Sequence, residues 1–157
     1  MSDHPSDYSF LKSGFNNLIE PEKPNDETLL TVSSLVTSFM DNALKEASIY
    51  VEHAKRNGIT KEDLVLCLKS ETFKFLNRPN IHNDVQKWRE IIENERDCED
   101  YSDSDEDDTE EELQPFTKSN CECKLCNEIN NIENLWIQWC PQTPIEKILK
   151  KVIDTNF

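Results

Sequence analysis

Four cysteines near the C-terminal end of the sequence are the side chains best suited to chemistry. Cys121, Cys123 and Cys126 form a Cys-x-Cys-x-x-Cys motif, and Cys140 follows further along. A structural zinc ion takes four ligands in a tetrahedron, and cysteine thiolates are among the ligands it prefers. The four side chains therefore make up a candidate zinc site. Because Cys140 stands alone and the paired Cys-x-x-Cys arrangement is absent, a group of reduced thiols without metal is the alternative interpretation.

No histidine stands beside these cysteines in the sequence, and this argues against catalysis. His4, His53 and His82 are all distant, so no base is at hand to activate a cysteine nucleophile. His53 falls on a predicted helix, where we interpret it as a surface or interface residue rather than a ligand. The sequence also has no phosphate-binding loop and no paired catalytic carboxylates. We expect a protein that is not an enzyme and has no catalytic residues.

We expect helices to position the cysteines, because the composition of the chain favours helical structure. The chain has only 2 glycines in 157 residues, and 31% of its residues are charged. A long helix is predicted from its N-cap Asp26 to a stop at Gly58, which we expect in a left-handed conformation. Its apolar residues recur in steps of three and four and are too many for short neighbouring helices to bury. We predict a dimer interface formed by Leu29, Val32, Val36, Phe39, Met40, Ala43, Ala47, Tyr50 and Val51.

Shorter helices are predicted on both sides of the long one. Residues 7–19 carry apolar side chains at helical spacing and precede a proline-rich loop, and Thr60 caps a helix that has Asp63 at its third position. A further helix is predicted over residues 82–96. After the cysteines, Thr143 and Pro144 begin a last helix. The C-terminal helices alone offer too little core, so we expect zinc, the rest of the chain or a partner to stabilise them.

The order of short helix, loop, long helix, tight turn and short helix resembles the histone fold. The string Arg-x-x-Ile-Thr-x-x-Asp-Leu, which runs from Arg56 to Leu64, falls at the tight turn. The resemblance implies a structural pair between Arg56 and Asp63 that holds this turn. It also implies a second histone-fold protein, in a heterodimer or a homodimer, that covers the central helix.

Within this superfamily, the resemblance is to the thirteenth TATA-binding-protein-associated factor of TFIID and to its relative in the SAGA coactivator. It rests on the pair Gly14-Phe15, the proline-rich and acidic loop before the long helix, the segment from Leu66 to Phe75, and the added helix over 82–96. It covers residues 6–96. It implies a nuclear subunit that pairs with another histone-fold chain and acts in transcription initiation or chromatin assembly.

The net charge of −15 is concentrated in one acidic run. Residues 97–112 include eleven Asp and Glu and no Lys or Arg, so 97–113 is predicted to be a disordered linker. This divides the chain into a histone-fold domain with its extra helix at 6–96, the linker, and a cysteine-containing helical unit at 114–157. Because affinity for phosphates comes from Lys and Arg, we expect DNA to be contacted only indirectly, through the partner. An acidic histone chaperone or DNA mimic that binds basic proteins through 97–112 is an alternative.

The sequence also bears on location. No apolar run approaches the roughly 20 residues that span a bilayer, and the first residues lack the pattern of a signal peptide. We expect no membrane contact and an intracellular protein. The abundance of Asn, Ile and Lys leaves a second alternative. It is a histone-fold protein of a large DNA virus with a zinc-binding C-terminal module, located in the virion or an infected-cell compartment.

Overall fold

A computed structural model of the chain describes residues 24–96 and 112–156, and these residues are all-α, as predicted. The helices are α1 (Asp26–His53), α2 (Lys61–Lys74), α3 (Ile81–Arg96), α4 (Lys124–Gln138) and α5 (Pro144–Asn156). A short 3-10 turn, Phe75–Asn77, follows α2. The predicted first helix at 7–19 and nearly all of the acidic linker lie outside the described residues. Of the helices that the structure describes, none combines the length and apolar character that a bilayer crossing requires.

Asp26 was predicted to be the N-cap of α1. In the structure the N-cap is Asn25. The backbone N–H of Thr28 donates to Asn25 Oδ1 over 2.8 Å. Asp26 is the first helical residue, where its negative charge interacts favourably with the positive end of the helix dipole. The prediction was off by one residue because two adjacent residues of capping type compete for the same position.

The end of α1 also differs from the prediction. The helix ends at His53, and the left-handed residue is Lys55, with a φ of 57°, rather than Gly58. The N–H of Arg56 donates to the carbonyl of Val51 over 3.1 Å, and the N–H of Lys55 donates to that of Glu52 over 3.0 Å. These two bonds form a Schellman motif. The helix therefore stops three residues earlier than the glycine suggested.

Gly58 has a different role in the turn between α1 and α2. It does not have a positive φ. A Cβ placed on Gly58 would come within 2.3 Å of Leu113 Cδ2, so the absence of a side chain lets residue 113 approach the turn.

The turn after α1 is held by the predicted pair of Arg56 and Asp63. The two terminal nitrogens of the Arg56 guanidinium group donate to the two Asp63 oxygens, one of them over 2.7 Å. The Asp63 side chain is fully buried and the Arg56 side chain is 3% exposed. Asp63 also accepts the backbone N–H of Thr60 over 2.8 Å, and Thr60 Oγ1 accepts the N–H of Asp63. This is the predicted capping box at the start of α2.

One apolar core joins the helices. Helix α1 packs against α2 and α3, while α2 also packs against α4 and α5. Side chains from α1, α2, α4 and α5 share a single buried cluster, among them Tyr50, Leu68, Ile129 and Ile153. The C-terminal helices therefore lie on the rest of the chain rather than forming a core of their own.

Five of the nine predicted interface residues belong to the chain's own interior. Phe39, Ala43, Ala47, Tyr50 and Val51 are at most 9% exposed. Parts of this chain reach these residues, since Phe39 packs against Phe75 of the 3-10 turn and Tyr50 bonds to Asn130 of α4. Their role in a dimer interface stays a prediction. The other four are partly or largely exposed, namely Leu29, Val32, Val36 and Met40.

Candidate metal centre

Four metal-binding side chains from two distant parts of the chain meet where α1 ends and α4 begins. They are His53, Cys121, Cys123 and Cys126, and their ligand atoms all lie within 4.8 Å of one another. His53 Nδ1 is 3.3 Å from Cys126 Sγ and 3.4 Å from Cys123 Sγ. Cys126 is buried, Cys121 and Cys123 are half-buried, and His53 is exposed. One imidazole and three thiols thus converge on one point.

The backbone places each ligand. His53 is the last residue of α1, where the Schellman motif fixes the direction in which the chain leaves the helix. Cys123 is the N-cap of α4, and its Sγ accepts the N–H of Cys126 over 3.4 Å. Because the N-cap and the third helical residue face the same end of a helix, the two sulfurs point toward a common site. Cys121 is held by its own N–H, which donates to Ser119 Oγ over 3.2 Å.

A ring of hydrogen bonds among Tyr50, Asn130 and Ser119 lies next to the candidate ligands. Tyr50, one turn before His53, donates its hydroxyl hydrogen to Asn130 Oδ1 over 2.6 Å. The Asn130 side-chain amide donates to the Ser119 carbonyl over 2.9 Å, and the Ser119 N–H donates to the Tyr50 oxygen over 3.2 Å. This ring ties α1 to α4 and to the segment before Cys121. Such supporting contacts orient ligands and are part of a working metal site.

The thiols differ in acidity. The hydrogen bond from the N–H of Cys126, with contributions from the neighbouring Cys126, Cys121 and His53 side chains, lowers the pKa of Cys123 to about 6. Burial raises the pKa of Cys126 to about 11. A bound divalent cation deprotonates the thiols that coordinate it. Of these two thiols, Cys123 therefore loses its proton more readily near neutral pH.

The donor set determines what the site can do. Sulfur and nitrogen donors suit zinc and other borderline or soft cations, whereas magnesium and calcium prefer oxygen ligands. A tetrahedral zinc ion needs its sulfur ligands roughly 3.8 Å apart, which is compatible with the observed separation. Four protein ligands leave no open coordination position for substrate or water. The arrangement can therefore hold a metal ion for structural purposes.

Cys140 is not part of this group, although the sequence prediction made it the fourth ligand. It is exposed and follows the C-terminal end of α4. Cys126 is the third residue of α4, and the rest of the helix, up to Gln138, carries the chain about 18 Å away before Cys140, too far for a shared ion. His53 lies in its place. The prediction failed because a helix forms between Cys126 and Cys140, where a loop would have been needed to bring them together.

His53 was interpreted as a surface or interface residue, and little in the sequence pointed to it as a ligand. More than sixty residues separate it from Cys121. One signal was available, since three closely spaced cysteines lack a fourth ligand of their own and histidine is the usual complement. His82 lies on α3 and is exposed, and His4 is outside the described residues.

Comparisons of this chain with models of known protein families, with curated proteins and with solved structures found no match.

Proposed function

We propose that this chain is a non-enzymatic pairing subunit with a histone fold that acts in transcription initiation or chromatin assembly in the nucleus. The observation that carries this proposal is a partly exposed apolar stripe along α1, in which Val36 and Leu44 are exposed and the other members are half-buried. The stripe consists of Leu29, Val32, Val36, Met40 and Leu44.

The stripe has the spacing of one helix face. Its residues follow in steps of three and four, which keeps them on one side of a helix with 3.6 residues per turn. Val36 is 49% exposed and Leu44 is 44% exposed, although both are large and apolar. Contiguous exposed apolar surface on a protein of this size is typical of an interaction site. A second chain with its own apolar central helix is the partner that suits a long, straight stripe.

The turn between α1 and α2 supports the same proposal. A buried arginine–aspartate pair at the end of a 28-residue helix, followed by a capped 14-residue helix, resembles the second loop of the histone fold. The pair is an internal clamp and needs no partner. It keeps the ends of α1 and α2 in a fixed relation, so that the stripe is presented by a rigid helix.

The metal that we propose for the candidate centre is zinc. Three thiolates and one imidazole in a closed set of four are the ligands of many structural zinc sites. We assign His53, Cys121, Cys123 and Cys126 as ligands and leave Cys140 as a free thiol. We further propose that any contact with DNA is made through the partner, because the described residues do not offset the negative charge of the chain.

Pairing can be tested with a double substitution on the stripe, Val36→Asp and Leu44→Asp. The chain should be co-expressed with individual histone-fold subunits of TFIID and SAGA, and complexes measured by size-exclusion chromatography with light scattering. We expect a one-to-one complex, or a homodimer of the chain alone, that weakens at least about a hundredfold in the variant, since two charges would be buried unpaired.

The control for this test is Ile137→Asp, because Ile137 is 77% exposed on α4 and does not belong to the stripe. It should leave pairing unchanged. A chain that remains monomeric at micromolar concentrations and pairs with none of these subunits would contradict the proposal. Equal binding by the stripe variant and the control would also contradict it.

A further inference from the structure

We propose that the zinc ion is a latch that holds residues 112–156, here called the C-terminal segment, onto α1 and α2. The inference rests on the zinc site proposed above and adds a role for it. His53 belongs to the long helix, whereas the three cysteines belong to the C-terminal segment. The metal would therefore add a link between two parts of the chain that otherwise meet through packing, hydrogen bonds and ion pairs.

The C-terminal segment is poorly equipped to fold alone. Its helices have 15 and 13 residues, and isolated helices of that length are marginal in water. Its buried apolar side chains are few, namely Cys126, Ile129, Ile132, Trp136 and Ile153. They pack against α1 and α2 as well as against one another, because they belong to the same buried cluster as Tyr50 and Leu68. The segment depends on docking for its core.

The contacts that dock the segment without metal are mostly small or exposed. Lys69 pairs with Glu133, which is 52% exposed, and Asn57 bonds with Glu112 and Gln114 at the surface. Exposed pairs of this kind contribute little to stability. The aromatic group formed by Phe73 of α2 with Trp136 of α4 and with Trp139, which caps the end of α4, is larger. It lies toward the far end of α4 from the cysteines. Near the cysteines, α4 is held by the Tyr50 ring, by the ion pair of Lys74 with Glu128 and by the proposed metal.

The ligands are divided unequally between the two parts. Three of the four come from residues 121–126, and a single imidazole comes from α1. Cys-x-Cys-x-x-Cys can still hold a metal ion by itself, with water in the fourth position. Removal of His53 should therefore uncouple metal binding from docking. Removal of a buried cysteine should abolish both, because metal binding and local folding are linked.

Because the ligands come from two parts of the chain, the latch can be tested on the full chain by measuring zinc content and docking separately. Zinc per chain is measured by mass spectrometry of the metal, and docking is measured by hydrogen exchange of the amides in α1, α2 and α4. We expect one zinc per chain. Chelation should speed exchange in α4 by at least about tenfold, while α1 and α2 retain most of their protection.

Three variants sharpen the result. His53→Ala should retain zinc with weakened affinity and show the fast α4 exchange of the chelated chain. Cys126→Ser should lose both zinc and docking. Cys140→Ser is the control and should match the unmodified chain in zinc content and in exchange, because Cys140 lies at the other end of α4.

The outcomes separate the two proposals. A chain that takes up no zinc would overturn the zinc assignment and the latch together. A chain that binds one zinc but shows the same α4 exchange with and without it would overturn the latch alone. Loss of protection across α1, α2 and α4 together on chelation would also overturn the latch, because the metal would then support the entire fold. None of these results bears on pairing through the α1 stripe.

Discussion

Among single residues, Asp63 has the most demanding environment. Its carboxylate is fully buried, and it accepts hydrogen bonds from Arg56 and Thr60. Burial by itself raises the pKa of this carboxyl, but the hydrogen bonds from Arg56 and Thr60 outweigh it and hold the pKa below its ordinary value of 3.8. A carboxyl whose pKa is lowered on folding stabilises the folded state once it is ionised.

We expect Asp63→Asn to lower the free energy of unfolding by about 3 kcal/mol at pH 7, because it leaves the Arg56 charge buried without its partner. The Asp63 contribution is complete above its unfolded pKa and is lost as the pH falls through its folded pKa. The difference between the two proteins should therefore shrink below about pH 4. Urea unfolding at pH 7, 5 and 3 measures this.

The control is Asp41→Asn, because Asp41 forms a solvent-accessible pair with Lys45 one turn along α1. It should change the stability at pH 7 by only a few tenths of a kcal/mol. If both variants lose the same small amount, the Asp63 pair does not stabilise the turn.

The pair of Arg56 and Asp63 could be predicted from the sequence and His53 could not, for a physical reason. The resemblance to the histone fold implied this pair within a string of eight residues, and the capping chemistry of the helix start predicted the positions of Thr60 and Asp63. His53 reaches its cysteine neighbours only after the chain returns from residue 112 onward. No local sequence pattern determines that return, so His53 becomes a candidate ligand only through tertiary packing.

Helices show the same division. The apolar spacing of α1 and the Thr143 and Pro144 signals of α5 predicted both elements. In the structure, Glu146 accepts the backbone N–H groups of Gln142 and Thr143 at the start of α5. The apolar spacing did not predict which helix would pack against which face. Tyr50, for example, was predicted at a dimer interface, and within the chain its hydroxyl bonds to Asn130 of α4.

The end of α1 provides a prediction about an element. Lys55 has a φ of 57°, a region in which a side chain costs about 1 kcal/mol and glycine costs much less. Lys55→Gly should raise the free energy of unfolding by about 0.5–1 kcal/mol, after the greater freedom of glycine in the unfolded chain is subtracted. Urea unfolding with zinc present measures the change.

Lys55→Ala is the matched control for this substitution. Alanine removes the same long side chain but keeps the Cβ that strains the left-handed conformation, so its stability should stay close to that of the unmodified chain. A loss of stability in the glycine variant relative to the alanine variant would show that Lys55 does not have this conformation in solution.

For the whole molecule, a charged cluster connects α1, α2, α4 and the loop after α2. Arg78 forms ion pairs with Glu71 and Glu46, and Lys74 forms ion pairs with Glu46 and Glu128. The Glu71 side chain is fully buried. Burial raises the pKa of Glu71, and the ion pair with Arg78 counters this only in part. The cluster thus depends on Arg78 to keep Glu71 ionised.

We expect Arg78→Leu to lower the free energy of unfolding by about 3–5 kcal/mol at pH 7, since it leaves a buried carboxylate unpaired. A carboxyl whose folded pKa is raised weakens the fold as the pH climbs above its unfolded pKa. The loss should therefore be smaller at pH 5 than at pH 7. Thermal unfolding at the two pH values, with Arg78→Leu combined with Glu71→Gln as the control, measures it. A loss that does not change with pH in the single variant would contradict the role of Glu71.

The closing turn of α1 also constrains how this chain can vary in length. The exposed stripe, the metal ligand His53 and the clamp residue Arg56 are all set by one continuous helix and its end. A single residue inserted between Leu44 and His53 would rotate one half of the helix against the other by about 100°. An insertion of about seven residues, close to two turns, would restore the facing but shift the ends apart by about 10 Å. Relatives of this chain should therefore differ in the composition of α1 far more readily than in the number of its residues.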